Sequence, residues 1–170
     1  MKRKIIYITI VMLLVSITLL VTISLKKDNK YQKVILLGND YNITNADKTF
    51  TSSFMDSQYL LTILESDASK VIDNKVIKLS NLIKSSTNVI INIGKIDIEE
   101  QISIIDNKLI YDLDIINRKK EMLIHNKEHI VSIIHSINDK TIIEFVELSY
   151  PYSINDDNII SIYKEINEKQ

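Results

Sequence analysis

The sequence predicts an α/β domain, a parallel sheet between two layers of helices, preceded by one transmembrane helix. Three observations carry that prediction. Residues 5–25 contain no charged side chain, whereas the rest of the chain is rich in charge. Three apolar, β-branched runs, Val34–Leu37, Val89–Ile93 and Thr141–Leu148, read as strands buried on both faces. Helical patterns separate those runs, and strands alternating with helices build a parallel sheet through right-handed crossovers. The 170 residues suit one domain of ordinary size.

Residues 1–4, MKRK, form a basic head that is expected in the cytoplasm. At 1.5 Å per helical residue, residues 5–25 span roughly 31 Å, against a hydrocarbon core of about 30 Å. Ser16, Thr18 and Thr22 within that run can bond back to the helix backbone. A cleaved signal peptide is the alternative, but its apolar region is shorter, and Thr22–Leu25 makes a poor cleavage site. The segment therefore reads as a signal-anchor. Positive charge flanks both sides, with Lys26, Lys27, Lys30 and Lys33 following the span. Placing the amino terminus inside puts residues 34–170 outside the cytoplasm, on a single-pass anchor in the cell membrane. Residues 26–33 read as a solvated linker.

Residues 34–170 form the domain. Val34–Leu37 runs into Gly38, Val89–Ile93 into Gly94, and Thr141–Leu148 into Ser149-Tyr150-Pro151. The chain's two glycines and its one proline thus mark strand C-terminal ends. Helices are predicted over Ser57–Ser66, Val76–Lys84, Lys108–Ile137 and Ile159–Asn167. The longest sets Leu109, Leu113, Ile116, Leu123, Ile130, Ile134 and Ile137 on one stripe. Asn138-Asp139 ends it, and Asn155–Asn158 offers caps to the last helix. Ligands of such sheets bind outside the carboxyl ends of the strands, so a crevice there is the candidate site for a ligand or a protein. Glycine at those ends serves a plain tight turn equally well.

Charge narrows the function classes. Residues 1–33 hold seven of the 21 Lys/Arg and one of the 22 Asp/Glu, giving +6, and residues 34–170 hold 14 against 21, giving −7. An acidic body of this kind disfavours nucleic acid as partner. The absence of cysteine excludes a disulfide framework, a thiol nucleophile and a Cys-ligated metal. Gly38 and Gly94 are isolated and make no phosphate-cradling loop. His125 and His129 have the i, i+4 spacing of zinc helices. Asn126 rather than Glu follows the first, however, so solvent-exposed histidines and no metal are expected. Asn42-Ile43-Thr44 fits a glycosylation triplet, a pattern common by chance. Arg118-Lys119-Lys120 reads as a solvated helix face. Tyr150, Pro151 and Tyr152 either line a shallow pocket or pack on the neighbouring loop.

Three blocks now combine. Val34–Leu37 leads into Gly38-Asn39-Asp40-Tyr41. Thr87–Ile93, preceded by the helical Leu79–Ser86, leads into Gly94-Lys95-Ile96-Asp97-Ile98. TIIEFVELSYPY occupies 141–152. In order and spacing, residues 33–167 resemble the SGNH/GDSL hydrolases. The resemblance implies a three-layer α/β/α sandwich with a flavodoxin-like layout. It sets Asp40 where the family carries its serine nucleophile and Ile96 where the family carries an asparagine oxyanion donor. The family's separate oxyanion glycine has no counterpart, and its C-terminal Asp-x-x-His block would lie beyond Gln170, so the domain reads as C-terminally shortened. Acyl transfer needs a nucleophile, a base and oxyanion donors. The resemblance therefore implies a catalytically inactive domain that keeps the crevice for binding a ligand or a protein. Gly38, Asn39, Asp40, Gly94, Ile96 and Asp97 are then vestigial family positions, and no cofactor is implied. The alternative is an active surface esterase or acyl hydrolase with a non-standard constellation, for which Asp40 would be a carboxylate nucleophile. Asp97 is expected to hydrogen-bond the loop around Gly94.

Overall fold

The computed structural model describes residues 33–39, 48–72 and 74–169. The anchor at 5–25, most of the linker, Asp40 and the Asn42–Thr44 triplet lie outside the described residues. Among the described residues, no helix is long and apolar enough to cross a membrane.

Four strands, β1 (Val34–Gly38), β2 (Lys48–Thr51), β5 (Asn88–Asn92) and β8 (Ile142–Phe145), form one sheet in the order β2-β1-β5-β8. Every pairing in it is parallel. Counted along the chain, these strands run 2-1-3-4, the flavodoxin-like order. Three of them are the runs read as strands from the sequence. The fourth, β2, was not marked by any apolar run, because KTFT is short and Phe50 is its one apolar residue.

Register explains which strand residues reach the core. Ile35 pairs with Val89 and Val89 with Ile143, while Leu37 pairs with Phe50 and Ile91, and Ile91 with Phe145. Partners in register share a face, so these side chains make one apolar surface. The buried apolar side chains of the five helices among the described residues, α1 (Ser57–Glu65), α2 (Leu79–Lys84), α3 (Lys95–Glu99), α4 (Leu113–Ile137) and α5 (Asp157–Glu168), join them in a single core. α4 is central and contacts the other four helices.

The sequence predicts helices on both faces, but among the described residues they cover one. On the other face Leu36 is 2% exposed, whereas Ile142 is 58% exposed and Glu144 is open to solvent. Nine residues, 39–47, separate β1 from β2. That is less than the dozen or more usual for a crossover between parallel neighbours.

Two predicted helices start later than their patterns suggest. The expected Val76–Lys84 helix begins at Leu79, because Lys75–Lys78 is strand β4 and pairs antiparallel with β3 (Ser69–Ile72). The expected Lys108–Ile137 helix begins at Leu113, because β6 (Ser103–Ile105) and β7 (Lys108–Ile110) form a second hairpin. Asp106 and Asn107 at its tip both have positive φ, 48° and 59°. Two consecutive left-handed residues suit a primed hairpin turn and cannot continue a helix. Leu109 still packs on the core, which is why it fitted the helical stripe.

Side chains set the helix ends, at α5 from within the Asn155–Asn158 cluster that the sequence offers as caps. Asp56, Asp112 and Asp156 cap α1, α4 and α5 by accepting from backbone N–H groups of the first turn. Asn138 closes α4, and its Nδ2 donates to the carbonyls of Ile83 and Ser86 at 3.0 and 2.9 Å.

Candidate functional site

The two glycines terminate neighbouring strands, and packing makes each necessary. Gly38 has φ +105°, and a Cβ there would meet the Asn92 carbonyl oxygen at 2.1 Å. The strand ends touch because Asn39 N–H donates to Asn92 O at 2.6 Å, while Asn92 Nδ2 donates back to Asn39 O at 3.2 Å. Gly94, φ +106°, opens α3, and a Cβ there would press on Leu148 and Leu123 side chains at 2.7 and 2.9 Å. Close approach is the reason for both residues.

Outside these strand ends lies an open cleft of about 470 Å³. Asn39 and Asn92 stand at its floor, Lys95, Ile96 and Glu99 of α3 form one wall, and Val146–Ser149 with Pro151 form the other. It occupies the position between the first and third strands where the sheet order reverses. Asn39 is buried. Its Oδ1 accepts from Met55 N–H at 3.1 Å, fixing the loop after β2, and its Nδ2 has no partner among the described residues. Burial pushes the Glu99 carboxyl above its usual range, against the pull of Lys95.

Asp97 points elsewhere. Its carboxylate accepts from Ser57 N–H at 3.0 and 3.2 Å and from Ser57 Oγ at 2.5 Å. Asn126 Nδ2 of α4 donates to the same hydroxyl at 2.9 Å. The expected bond to the Gly94 loop is thus replaced by one to the first turn of α1, and Asp97, Ser57 and Asn126 join three helices. Burial raises the Asp97 pKa, and the Asp56 carboxylate adds to the rise, while the Ser57 hydrogen bonds oppose it. Behind this junction, Lys127 is buried with Nζ 3.3 Å from Ile166 O and 5.0 Å from the Phe145 ring centroid. Burial brings its pKa down to about 8, against the pull of Asp97. Ser57 was not singled out by the sequence, and Lys127, which the charge pattern of the long helix sets on its solvated side, is instead buried, since a lysine in a charged helix carries no signal of burial.

The cleft gathers Asn39 and Ile96 from the family-like blocks, Gly38 and Gly94 shape its floor, and Asp97 turns inward. Ile96, at the oxyanion position, lines the cleft with an apolar side chain. The histidines lie outside it: His125, His129 and His135 are exposed on α4, and the first two rings stand 5.0 Å apart. Among the described residues, no three His, Asp or Glu side chains cluster to hold a metal. Pro151 reaches the cleft, but Tyr150 and Tyr152 pack edge to face on each other, and Tyr150 does the same on Tyr163. Burial, with the Glu99 carboxylate adding to it, pushes the Tyr152 hydroxyl up to about 12.

No protein-family model matches the chain, and no curated protein matches it. Among solved structures, it is similar to the crystal structure of the lipase Lip_vut3 from goat rumen metagenome. The TM-score is 0.58 at 10% identity, over 81% of this chain and 73% of that one. At that identity the likeness is one of fold: the domain shares its α/β architecture with that lipase.

Proposed function

We propose that this chain is a non-catalytic SGNH/GDSL-type domain, held on the outer face of a cell membrane by residues 5–25, that binds a ligand or a protein in its strand-end cleft. The observation that carries the reading is the divergence of Ile96 and Asp97. The residue facing the cleft cannot donate a hydrogen bond from its side chain, while its neighbour keeps three contacts to Ser57. Loss of a donor where an oxyanion would develop removes the stabilisation that acyl transfer needs. Retention of the inward contact preserves the cleft wall.

Fluorophosphonate labelling of the full chain, read by intact mass, tests the proposal. A folded protein without adduct is the expected result. A stoichiometric adduct on one serine, such as Ser53 or Ser149 at the cleft, overturns the non-catalytic reading in favour of an active acyl hydrolase.

A further inference from the structure

We infer that His125 and His129 form a two-point binding site for a late divalent transition-metal ion on the exposed side of α4, with water completing its coordination. The site lies apart from the cleft and depends neither on the cleft reading nor on the anchor. Asn126 stands where the zinc-helix motif carries glutamate, which removes a general base and no ligand. Asn126 is in any case buried and donates to Ser57 Oγ. The two histidines are both exposed, and among the described residues neither makes a hydrogen bond or an ion pair. A neutral imidazole then offers one ring nitrogen as a ligand.

The spacing of the rings fits a shared ion. With a metal–nitrogen distance of about 2.0–2.1 Å and each ring centroid roughly 1.15 Å further back, two imidazoles meeting one ion at about 90–109° put their centroids about 4.5–5.2 Å apart. The centroids of His125 and His129 stand 5.0 Å apart, inside that range, and the rings are tilted by 36° rather than stacked. Helix periodicity supplies this spacing, because residues four apart are neighbours on one face. α4 runs for 25 residues, is capped by Asp112 and packs on four other helices, so the pair rests on a rigid element.

Charge and donor type narrow the ion. Along α4, Glu121 stands one turn before His125 and Glu128 beside His129, with Arg118 opposing them, in a body of −7 that favours a cation. Imidazole suits copper, nickel and zinc, whereas magnesium and calcium take oxygen donors. Among the described residues no third His, Asp or Glu joins the pair, so the site is open rather than a closed structural zinc centre. Affinity then follows the order in which copper(II) exceeds nickel(II) and zinc(II). Between the two histidines lie Asn126 and Lys127, both buried. An ion bound across this turn stabilises the folded chain over the unfolded one, whose histidines are not held at this distance.

Calorimetric titration of the full chain in a non-ionic detergent, with copper(II), nickel(II) and zinc(II) chlorides in a non-coordinating buffer, tests the inference. The expected result is one copper(II) per chain, bound more tightly than nickel(II) or zinc(II). His125→Ala and His129→Ala are each expected to weaken copper about a hundredfold, as loss of one arm of a chelate does. His135, the third histidine of the chain, is exposed on the same helix, and His135→Ala is expected to change nothing. Copper is expected to raise the thermal midpoint of the parent chain and of His135→Ala, but not of His129→Ala. Circular dichroism confirms that each variant is folded. Copper affinity that survives in His129→Ala, or falls equally in His135→Ala, overturns the inference, since the ion then sits elsewhere on the chain. One ion per two chains, lost in the same variants, overturns the single-chain site in favour of one shared between two copies. Absence of saturable binding at millimolar copper overturns it outright.

Discussion

Ile96 and Asp97 are consecutive residues in one turn of α3, yet they serve regions under opposite constraints. Ile96 belongs to the cleft, where Asn39 Nδ2 has no partner among the described residues and the walls are separate loops and a five-residue helix. Asp97 belongs to the junction of α1, α3 and α4, where Ser57 both donates to the carboxylate and accepts from Asn126. The difference teaches what holds this fold. Chemistry can leave the cleft without loosening the sheet, because the cleft wall is fastened from behind. The junction has less freedom, since Asp97, Ser57 and Asn126 are linked to one another by hydrogen bonds across three helices.

The sharpest break between the regions comes at the strand ends beneath the cleft. Gly38→Ala sets a Cβ against the Asn92 carbonyl, which is backbone and cannot yield, at a φ that L residues rarely adopt. A loss of about 4 kcal/mol or more in chemical denaturation is expected. Gly94→Ala meets the ends of two leucines, which can shift, and costs less despite a similar φ. Equal losses for the two variants contradict this account of why the glycines are there.

Next in size is the junction. Asp97→Ala strands the Ser57 N–H and hydroxyl and is expected to cost about 2–3 kcal/mol. Asp97→Asn keeps an acceptor and costs less. Because burial raises the Asp97 pKa in the fold, the folded chain holds that proton more tightly than the unfolded one. Its contribution to stability is complete below the unfolded value and is lost as pH rises through the folded value. Urea midpoints from pH 3 upward must therefore change less in Asp97→Asn than in the parent chain, if the buried carboxyl is the source.

Lys127 lies behind the same junction with the opposite sign. Its folded pKa of about 8 lies below the ordinary lysine value, so the unfolded chain binds a proton that the folded chain releases between them. Stability from this group is present above the unfolded value and falls as pH drops through about 8. Lys127→Met keeps the volume and removes the buried charge, with an expected gain of about 1 kcal/mol at pH 7. The gain shrinks toward pH 10, and thermal melts at the two pH values read the difference directly.

These regions differed in how far the sequence exposed them. β1, β5 and β8 were legible because their apolar runs end at Gly38, Gly94 and Pro151, while α1 was legible from its periodicity and α5 from its caps. The hairpins were hidden because VIKLSN and NKLIYDL fit helical spacing as well as strand alternation. Only the left-handed φ at Asn74, Asp106 and Asn107 separates the two readings. The glycines that follow β1 and β5 drew the sequence reading to the strand ends, where the cleft lies. The junction was not, since the partner of Asp97 lies forty residues away at Ser57, and local sequence carries no mark of such pairing.

The smallest effect is expected where the comparison is most direct. Ile96→Asn returns a side-chain donor to the cleft wall without touching Asp97. Ile96 is half-buried, so stability is expected to fall by only about 1 kcal/mol. Hydrolysis of p-nitrophenyl acetate is expected to stay at the buffer rate, because one oxyanion donor without an activated nucleophile and base leaves the attacking step unaided. An esterase rate about tenfold above buffer, lost again on fluorophosphonate treatment, would mean that a competent nucleophile already stands in the cleft and lacks only this donor. The cleft would then be an active site one residue from function, and its separation from the junction would be an accident of Ile96 alone.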